Sequence, residues 1–228
     1  HFYFINCCST GHVSHSFPVP HRSEAIGAGR YTSSELFLDH MKKRILSGIR
    51  PSGDLHLGNY LGAIQQWLKL QKDHDVFFMV ADLHAITTPY DPKTLPELTR
   101  NTVIEYLAAG LDLDKATIFI QSHIPAHCQL MWLLNTFTPV GELQRMVQFK
   151  EKSTQHADWQ NAGILNYPIL MAADILAYKP EAVPVGDDQD QHVEIARDLA
   201  KKFNRLYGST FVEPQSLHTN GKRIMDLV

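Results

Sequence analysis

Cysteine is scarce: among 228 residues only Cys7, Cys8 and Cys128 occur. One adjacent pair and one distant thiol give neither a disulfide framework nor paired zinc-ligand spacing, so a reducing cytoplasm is the expected compartment. Long apolar runs are also missing. None approaches the roughly 18 residues that cross a bilayer as a helix, and no membrane partner is expected. Neither sign of charge dominates: 21 Lys and Arg against 24 Asp and Glu leave a net charge of −3. Without a global basic field, any nucleic-acid contact has to come from local patches. There is no internal repeat and no low-complexity tract. What is present is a hydrophobic content of 44%, enough to fill the core of one large domain.

Residues 1–40 stand apart. They hold His1, His12, His15, His21 and His40, both adjacent cysteines, scattered Ser and Gly, and no hydrophobic period. The first methionine is Met41. This segment is expected to be a disordered extension, a leader, or sequence upstream of the fold. A mitochondrial transit peptide is the less favoured reading, because only Arg22 and Arg30 supply positive charge. From residue 41 onward, strands expected at 45–47, 76–81, 117–121 and 183–185 alternate with helices. The helices are expected at 58–72, from Asp91-Pro92 to Gly110, from Pro125, from Pro139 to Phe149, at 168–178 and at 188–204, with a polar loop at 150–160. That alternation predicts an α/β fold with a doubly wound parallel sheet over residues 41–228.

The chain is organised around Leu46 to Tyr60, which reads Leu-Ser-Gly-Ile-Arg-Pro-Ser-Gly-Asp-Leu-His-Leu-Gly-Asn-Tyr. A strand runs into small, turn-forming residues and then into a helix start, the arrangement with which α/β folds hold nucleotides. Free N–H groups at a helix N-terminus attract anions. His56 and Asn59, three apart, point the same way on a first helical turn, and Gly58 between them leaves a flat spot for an adenine ring. In a parallel sheet, ligands bind at the carboxyl ends of the strands. Three expected strand ends carry polar clusters: Gly48 to Asn59, Asp82 to His84, and Gly186 to His192.

Asp174 sits in Leu-Met-Ala-Ala-Asp-Ile-Leu-Ala, and a carboxylate in so apolar a setting has to be paired or hydrogen-bonded. It is either salt-bridged to an arginine or aimed into a pocket to accept a ligand's N–H or O–H. Met171 and Tyr178 share its helix face, with Tyr167 just ahead of the helix. Asp188 and His192, four apart, suggest a metal at first. Acids meeting a helix N-terminus, or contacts from Asp188 and Gln189 to ribose or an amino-acid head group, fit better. His123 and His127 are not expected to bind metal, since Pro125 breaks their helical phase. Lys150 and Lys152 face solvent, unless their loop covers a phosphate site.

Four strings carry a resemblance. They are Ser-Gly-Ile-Arg-Pro-Ser-Gly-Asp-Leu-His-Leu-Gly-Asn-Tyr, Gly-Glu-Leu-Gln-Arg-Met-Val-Gln-Phe-Lys-Glu-Lys-Ser, Tyr-Pro-Ile-Leu-Met-Ala-Ala-Asp-Ile-Leu and Val-Pro-Val-Gly-Asp-Asp-Gln-Asp-Gln-His. In that order and spacing, the chain from about Lys42 resembles the bacterial-type tryptophanyl-tRNA synthetases, class I aminoacyl-tRNA synthetases with a Rossmann-like catalytic domain. The resemblance implies activation of L-tryptophan by ATP, with Mg2+ riding on the phosphates, and transfer to tRNA(Trp) by a homodimer. It implies that Asp174 accepts the indole N–H, that Tyr167 and Gln189 hold the amino-acid head group, and that Gly48, His84, Met171, Val183 and Val185 shape the pocket. Arg50, Pro51, Ser52, Gly58 and Asn59 then lie along ATP, Gly186, Asp187 and Asp188 meet its ribose side, and Ile224 packs near adenine. His56, Asn59 and Lys152 are the implied catalytic groups, stabilising phosphate charge without a covalent intermediate.

Departures from the family pattern carry their own expectations. Asn59 stands where the class signature has a second histidine, Arg50 replaces a glutamine, and Leu46 replaces a pocket phenylalanine, which predicts a looser indole site. The sequence stops at Val228, before the family's Lys-Met-Ser-Lys-Ser loop and anticodon-binding domain, so these residues by themselves are expected to be impaired in activation. Rival readings are a tyrosyl-tRNA synthetase, a small-molecule adenylyltransferase, and a non-catalytic module that binds tryptophan or ATP.

Overall fold

The computed structural model describes residues 42–146, 161–185 and 190–218. Five parallel strands form one sheet: β1 (Arg44–Ile49), β2 (Asp75–Val80), β3 (Ala116–Ile120), β4 (Ala182–Val185) and β5 (Gln215–His218), in the order β3-β2-β1-β4-β5. The helices between them are α1 (Leu57–Asn59), which runs through a π-helical segment (Tyr60–Ile64) into α2 (Gln65–Asp73), then α3 (Asp82–Ala85), α4 (Leu95–Ala108), a 3-10 turn (Gln121–His123), α5 (Ala126–Asn135), α6 (Val140–Gln144), α7 (Ala162–Tyr178) and α8 (Asp190–Tyr207).

Strand residues alternate between two buried layers, because successive side chains leave a strand on opposite faces. Ile45, Val76, Phe78, Val80 and Ala116 pack with Ile64, Trp67 and Tyr106 from the α2 and α4 side. Leu46, Phe77, Phe119, Val183 and Val185 pack with residues of α5 to α8. Both faces are thus covered, which is why these strands read as continuous apolar runs. On the first face Trp67 stacks on Phe78 at 4.5 Å and meets Tyr106 edge-on at 5.2 Å.

The Tyr106 hydroxyl stands inside the β1–β2 ladder. Ala81 N–H donates to the Ile49 carbonyl at 2.9 Å, so the next parallel rung is Ile49 N–H to Met79 O. At that rung Ile49 N–H donates to Tyr106 Oη at 3.1 Å and Tyr106 O–H donates to Met79 O at 3.2 Å, while the β1–β2 register runs on to Ile49 opposite Val80. A phenol thus bridges β1 and β2 where β1 leads into the Arg50 to His56 loop. Burial pushes the Tyr106 phenol well above its usual range, so it keeps the proton it donates.

Some boundaries differ from expectation. The helix expected from Asp91-Pro92 begins at Leu95, with Pro96 in its first turn. Asp91 instead makes a turn in which its Oδ1 accepts Lys93 N–H at 2.8 Å. The helix expected from Pro168 begins at Ala162, where the Asn161 side chain caps by accepting Ile164 N–H at 3.1 Å, and Pro168 lies inside it. The closing helix, described from Asp190, reaches Tyr207 rather than Asn204, and its expected start at Asp188 lies outside the described residues. β5 was not foreseen. The helix after Pro139 ends at Gln144, and its expected continuation to Phe149 lies outside the described residues, as do the loop at 150–160 and residues 1–40.

Candidate active site

β1 lies between β2 and β4, and the chain order reverses there. That reversal opens a crevice at the carboxyl ends of β1 and β4, the usual ligand position in such sheets. The Arg50 to Asn59 loop borders it from β1. Arg50 and Ser52 are exposed and Pro51 is buried, with a turn closed by Ser52 N–H to Arg50 O at 2.9 Å. Glu105 on α4 tethers the loop, its Oε1 accepting Leu55 N–H at 3.3 Å.

His56 is the N-cap of α1. Its Nδ1 accepts Asn59 N–H at 3.3 Å while Asn59 Oδ1 accepts His56 N–H at 3.2 Å, a reciprocal capping box. An accepting Nδ1 places the hydrogen of the neutral ring on Nε2, making that nitrogen a donor. Gly58 lies close against the His56 ring. A Cβ there would stand 2.9 Å from His56 Cε1 and Nδ1, so the missing side chain makes room for the imidazole. At Gly48 a Cβ would stand 2.7 Å from the Met79 carbonyl oxygen. Only glycine fits between the strands there.

Asp174 on α7 is 1% exposed. Its partners are two histidines and a glutamine, not the arginine weighed from sequence. His84 Nε2 lies 2.8 Å from Oδ2 and His127 Nδ1 lies 2.6 Å from Oδ1. Gln121 Nε2 donates to both oxygens, at 2.9 and 2.8 Å. Burial, the largest influence, raises the Asp174 carboxyl. Hydrogen bonds from His127 and His84, with their attraction, together outweigh it and hold the group below the usual carboxylate range. The donors come from the ends of β2 and β3 and from α5, so the fold converges four elements on one carboxylate.

Tyr167 lies within α7, not ahead of it, and its hydroxyl is 3.2 Å from His192 Nε2. Its ring stands perpendicular to that of His84, with centroids 6.4 Å apart. Met171 is half-buried on the same helix. Val183 and Val185 are buried in the core layer with Leu46. Asp82, expected at the same rim as His84, binds elsewhere: its carboxylate accepts the Ser122 N–H at 2.9 Å and the Ser122 hydroxyl, clamping the ends of β2 and β3. A groove of about 470 Å³ beside α4, lined among others by Asp82, Arg100 and His123, includes none of the Asp174 partners. Lys152, Gly186, Asp187, Asp188, Gln189 and Ile224 lie outside the described residues.

Sequence reasoning missed Gln121 and His127. Gln121 follows β3 directly, and strand ends are where sites form. His127 occupies the buried stripe of α5 with Leu134, and a polar residue in such a stripe is itself a signal.

Residues 39–228 match the family model described as tRNA synthetases class I (W and Y). A tryptophan–tRNA ligase of Leifsonia xyli is 55% identical over 187 residues, 81% of this chain and 56% of that protein. One of Clostridium tetani is 52% identical over 191 residues, 83% of this chain and 56% of that protein. The chain thus spans little more than half the length of these curated relatives. Among solved structures, the Campylobacter jejuni tryptophanyl-tRNA synthetase complexed with ADP and tryptophan is 40% identical, with a TM-score of 0.74, covering 78% of this chain and 55% of that one. The Mycoplasma pneumoniae tryptophanyl-tRNA synthetase is 43% identical, with a TM-score of 0.76, covering 82% and 56%. A doubly wound sheet, a capped His-Leu-Gly-Asn helix start at its switch point and this match over residues 39–228 make the chain a member of the class I tRNA synthetases of the tryptophan and tyrosine group.

Proposed function

We propose that the protein activates L-tryptophan with ATP, forming tryptophanyl-adenylate and pyrophosphate, and then passes the tryptophanyl group to tRNA(Trp). The observation that carries this reading is the buried, ionised Asp174 with His84 beside it at the rim. A ligand N–H that takes the position of His84 Nε2 on Oδ2 makes a charge-assisted hydrogen bond. A side chain without that N–H leaves a buried carboxylate short of a donor, which is strongly disfavoured. Relatives named tryptophan–tRNA ligases support the same substrate.

In this reading Tyr167 and Gln189 hold the amino-acid head group, and Gly48, His84, Met171, Val183 and Val185 form the indole pocket. ATP lies along Arg50, Pro51, Ser52, Gly58 and Asn59, its ribose against Gly186, Asp187 and Asp188 and its adenine near Ile224, with Mg2+ carried on its phosphates. A tryptophan carboxylate oxygen attacks the α-phosphorus, the bond to the bridging oxygen breaks, and pyrophosphate leaves. His56, through the Nε2–H that its cap bond leaves as donor, together with Asn59 and Lys152, stabilises the developing charge, so that catalysis is positioning plus electrostatics.

The working form is a homodimer in the cytoplasm. Trp132, Leu133 and Val140 are 71%, 52% and 56% exposed on α5 and α6 and offer an apolar face for the second copy. Among the described residues no helix is long and apolar enough to cross a membrane. The test is ATP–pyrophosphate exchange by the whole protein, with tryptophan and tyrosine compared. Exchange driven by tryptophan is expected; exchange driven by tyrosine alone, or none with tryptophan, overturns the assignment.

A further inference from the structure

The carboxylate of Asp174 is held by more than a ligand pocket requires. His127 is fully buried between two partners, with Nδ1 2.6 Å from Asp174 Oδ1 and Nε2 2.9 Å from the Tyr178 hydroxyl oxygen. An ionised carboxylate only accepts, so Nδ1 carries a hydrogen; the Nε2 of the neutral ring is then a lone pair, and the Tyr178 O–H donates to it. The neutral ring permits one consistent proton arrangement, running from Tyr178 through His127 to Asp174. The Tyr178 hydroxyl keeps its proton, pushed up to about 12 by burial first and by the Asp174 charge second. Its ring is wedged against Phe77 at 5.2 Å and Phe119 at 5.1 Å between centroids, which fixes the far end of the chain of bonds. Gln121, also fully buried, spans both carboxylate oxygens.

The four donor contacts occupy about the four lone-pair directions that a carboxylate has. They differ in access: Gln121 and His127 have no exposed surface, while His84 is 8% exposed. A ligand therefore exchanges with His84 and leaves the other three bonds in place.

We propose that Gln121, His127 and Tyr178 are positioning residues that hold Asp174 from behind, so that it presents Oδ2 to a ligand N–H. This rests on the tryptophan reading above and deepens it. None of the three needs to touch the ligand. Their effect is selective for ligands with the ring N–H, because they set the direction and charge of the acceptor and leave the apolar walls of the pocket unchanged.

The test compares the dissociation constants of L-tryptophan and its benzothiophene analogue, which has sulfur in place of the ring N–H, by titration calorimetry on the full chain. The parent is expected to prefer tryptophan by about ten- to a hundredfold, the range for a hydrogen bond to a charged group, and Asp174→Asn to lose that preference. Tyr178→Phe, which keeps the ring and its packing, is expected to narrow the ratio by about threefold or more, and His127→Leu to narrow it further. His127→Asn, which keeps a donor near the Nδ1 position, is expected to restore most of it. Where His127→Leu does not fold, Tyr178→Phe decides. A parent preference that Asp174→Asn abolishes but Tyr178→Phe leaves intact, with both ligands weakened equally, overturns the positioning role and leaves the tryptophan reading standing. Equal binding of the two ligands by the parent sinks that reading and this proposal with it.

Discussion

Tyr106→Phe removes one oxygen and leaves the ring where it is, edge-on to Trp67 at 5.2 Å. The lost hydroxyl serves two backbone groups, Ile49 N–H at 3.1 Å and Met79 O at 3.2 Å. The phenol is fully buried, so water does not readily replace it. Leaving a buried donor and a buried acceptor unsatisfied costs about 2–4 kcal/mol for the pair, and for a chain of this size that lowers the melting temperature by about 4–16 °C. Urea unfolding followed by tryptophan fluorescence is a suitable assay, since Trp67 stacks on Phe78 and meets the Tyr106 ring edge-on. Tyr90→Phe, at a 40% exposed tyrosine, is the control and is expected to stay within about 0.5 kcal/mol of the parent. Tyr106→Phe as stable as that control would refute the reasoning, because the ladder's own bonds would then satisfy Ile49 N–H and Met79 O without the phenol.

Gly58→Ala puts a Cβ 2.9 Å from the His56 ring and is expected to break the His56 to Asn59 capping box, lowering the rate of pyrophosphate exchange more than the affinity for tryptophan; unchanged exchange would contradict the role given to His56. The Asp174 carboxyl is held below its unfolded value, so its contribution to stability is present above about pH 4 and is lost as pH falls through the folded value, where the unfolded state takes up the proton first. The stability advantage of the parent over Asp174→Asn, followed by urea unfolding, is therefore expected to narrow below about pH 4; widening on acidification would reverse the sign of this account. Trp132→Glu places a charge on the apolar face of α5 and is expected to shift sedimentation toward a smaller species without loss of helical circular dichroism; an unchanged assembly would remove that face from consideration.

The four strands β1 to β4 were legible to within about two residues at each end, because strands buried on both faces read as unbroken apolar runs. β5 was not, since Gln-Ser-Leu-His has no such run and, among the described strands, pairs only along β4. Proline misled twice in the same way. Pro92 and Pro168 both look like first-turn residues, yet Pro96 lies in the first turn of α4 and Pro168 is inside α7, whose start is marked by the Asn161 cap. Asp174 stood out in sequence because a carboxylate among apolar residues demands partners, but spacing along one helix says nothing of what other elements bring to it. Hence His84 was named together with Asp174 only through the family resemblance, while Gln121 and His127, after β3 and on α5, emerged only when the chain was folded. Gly58 was legible as a special position, and the fold adds what the string does not show: its missing side chain leaves room for the chain's own histidine.

In the proposed function Asp174 is the acceptor of an indole N–H. A crystal structure of the full chain with bound L-tryptophan tests this most directly. The indole nitrogen is expected within hydrogen-bond distance, about 2.7–3.2 Å, of Asp174 Oδ2. His84 Nε2 is expected to have moved from its 2.8 Å contact, with the bonds from Gln121 and His127 intact. An indole that points its nitrogen away from Asp174, or lies outside the crevice, would contradict it.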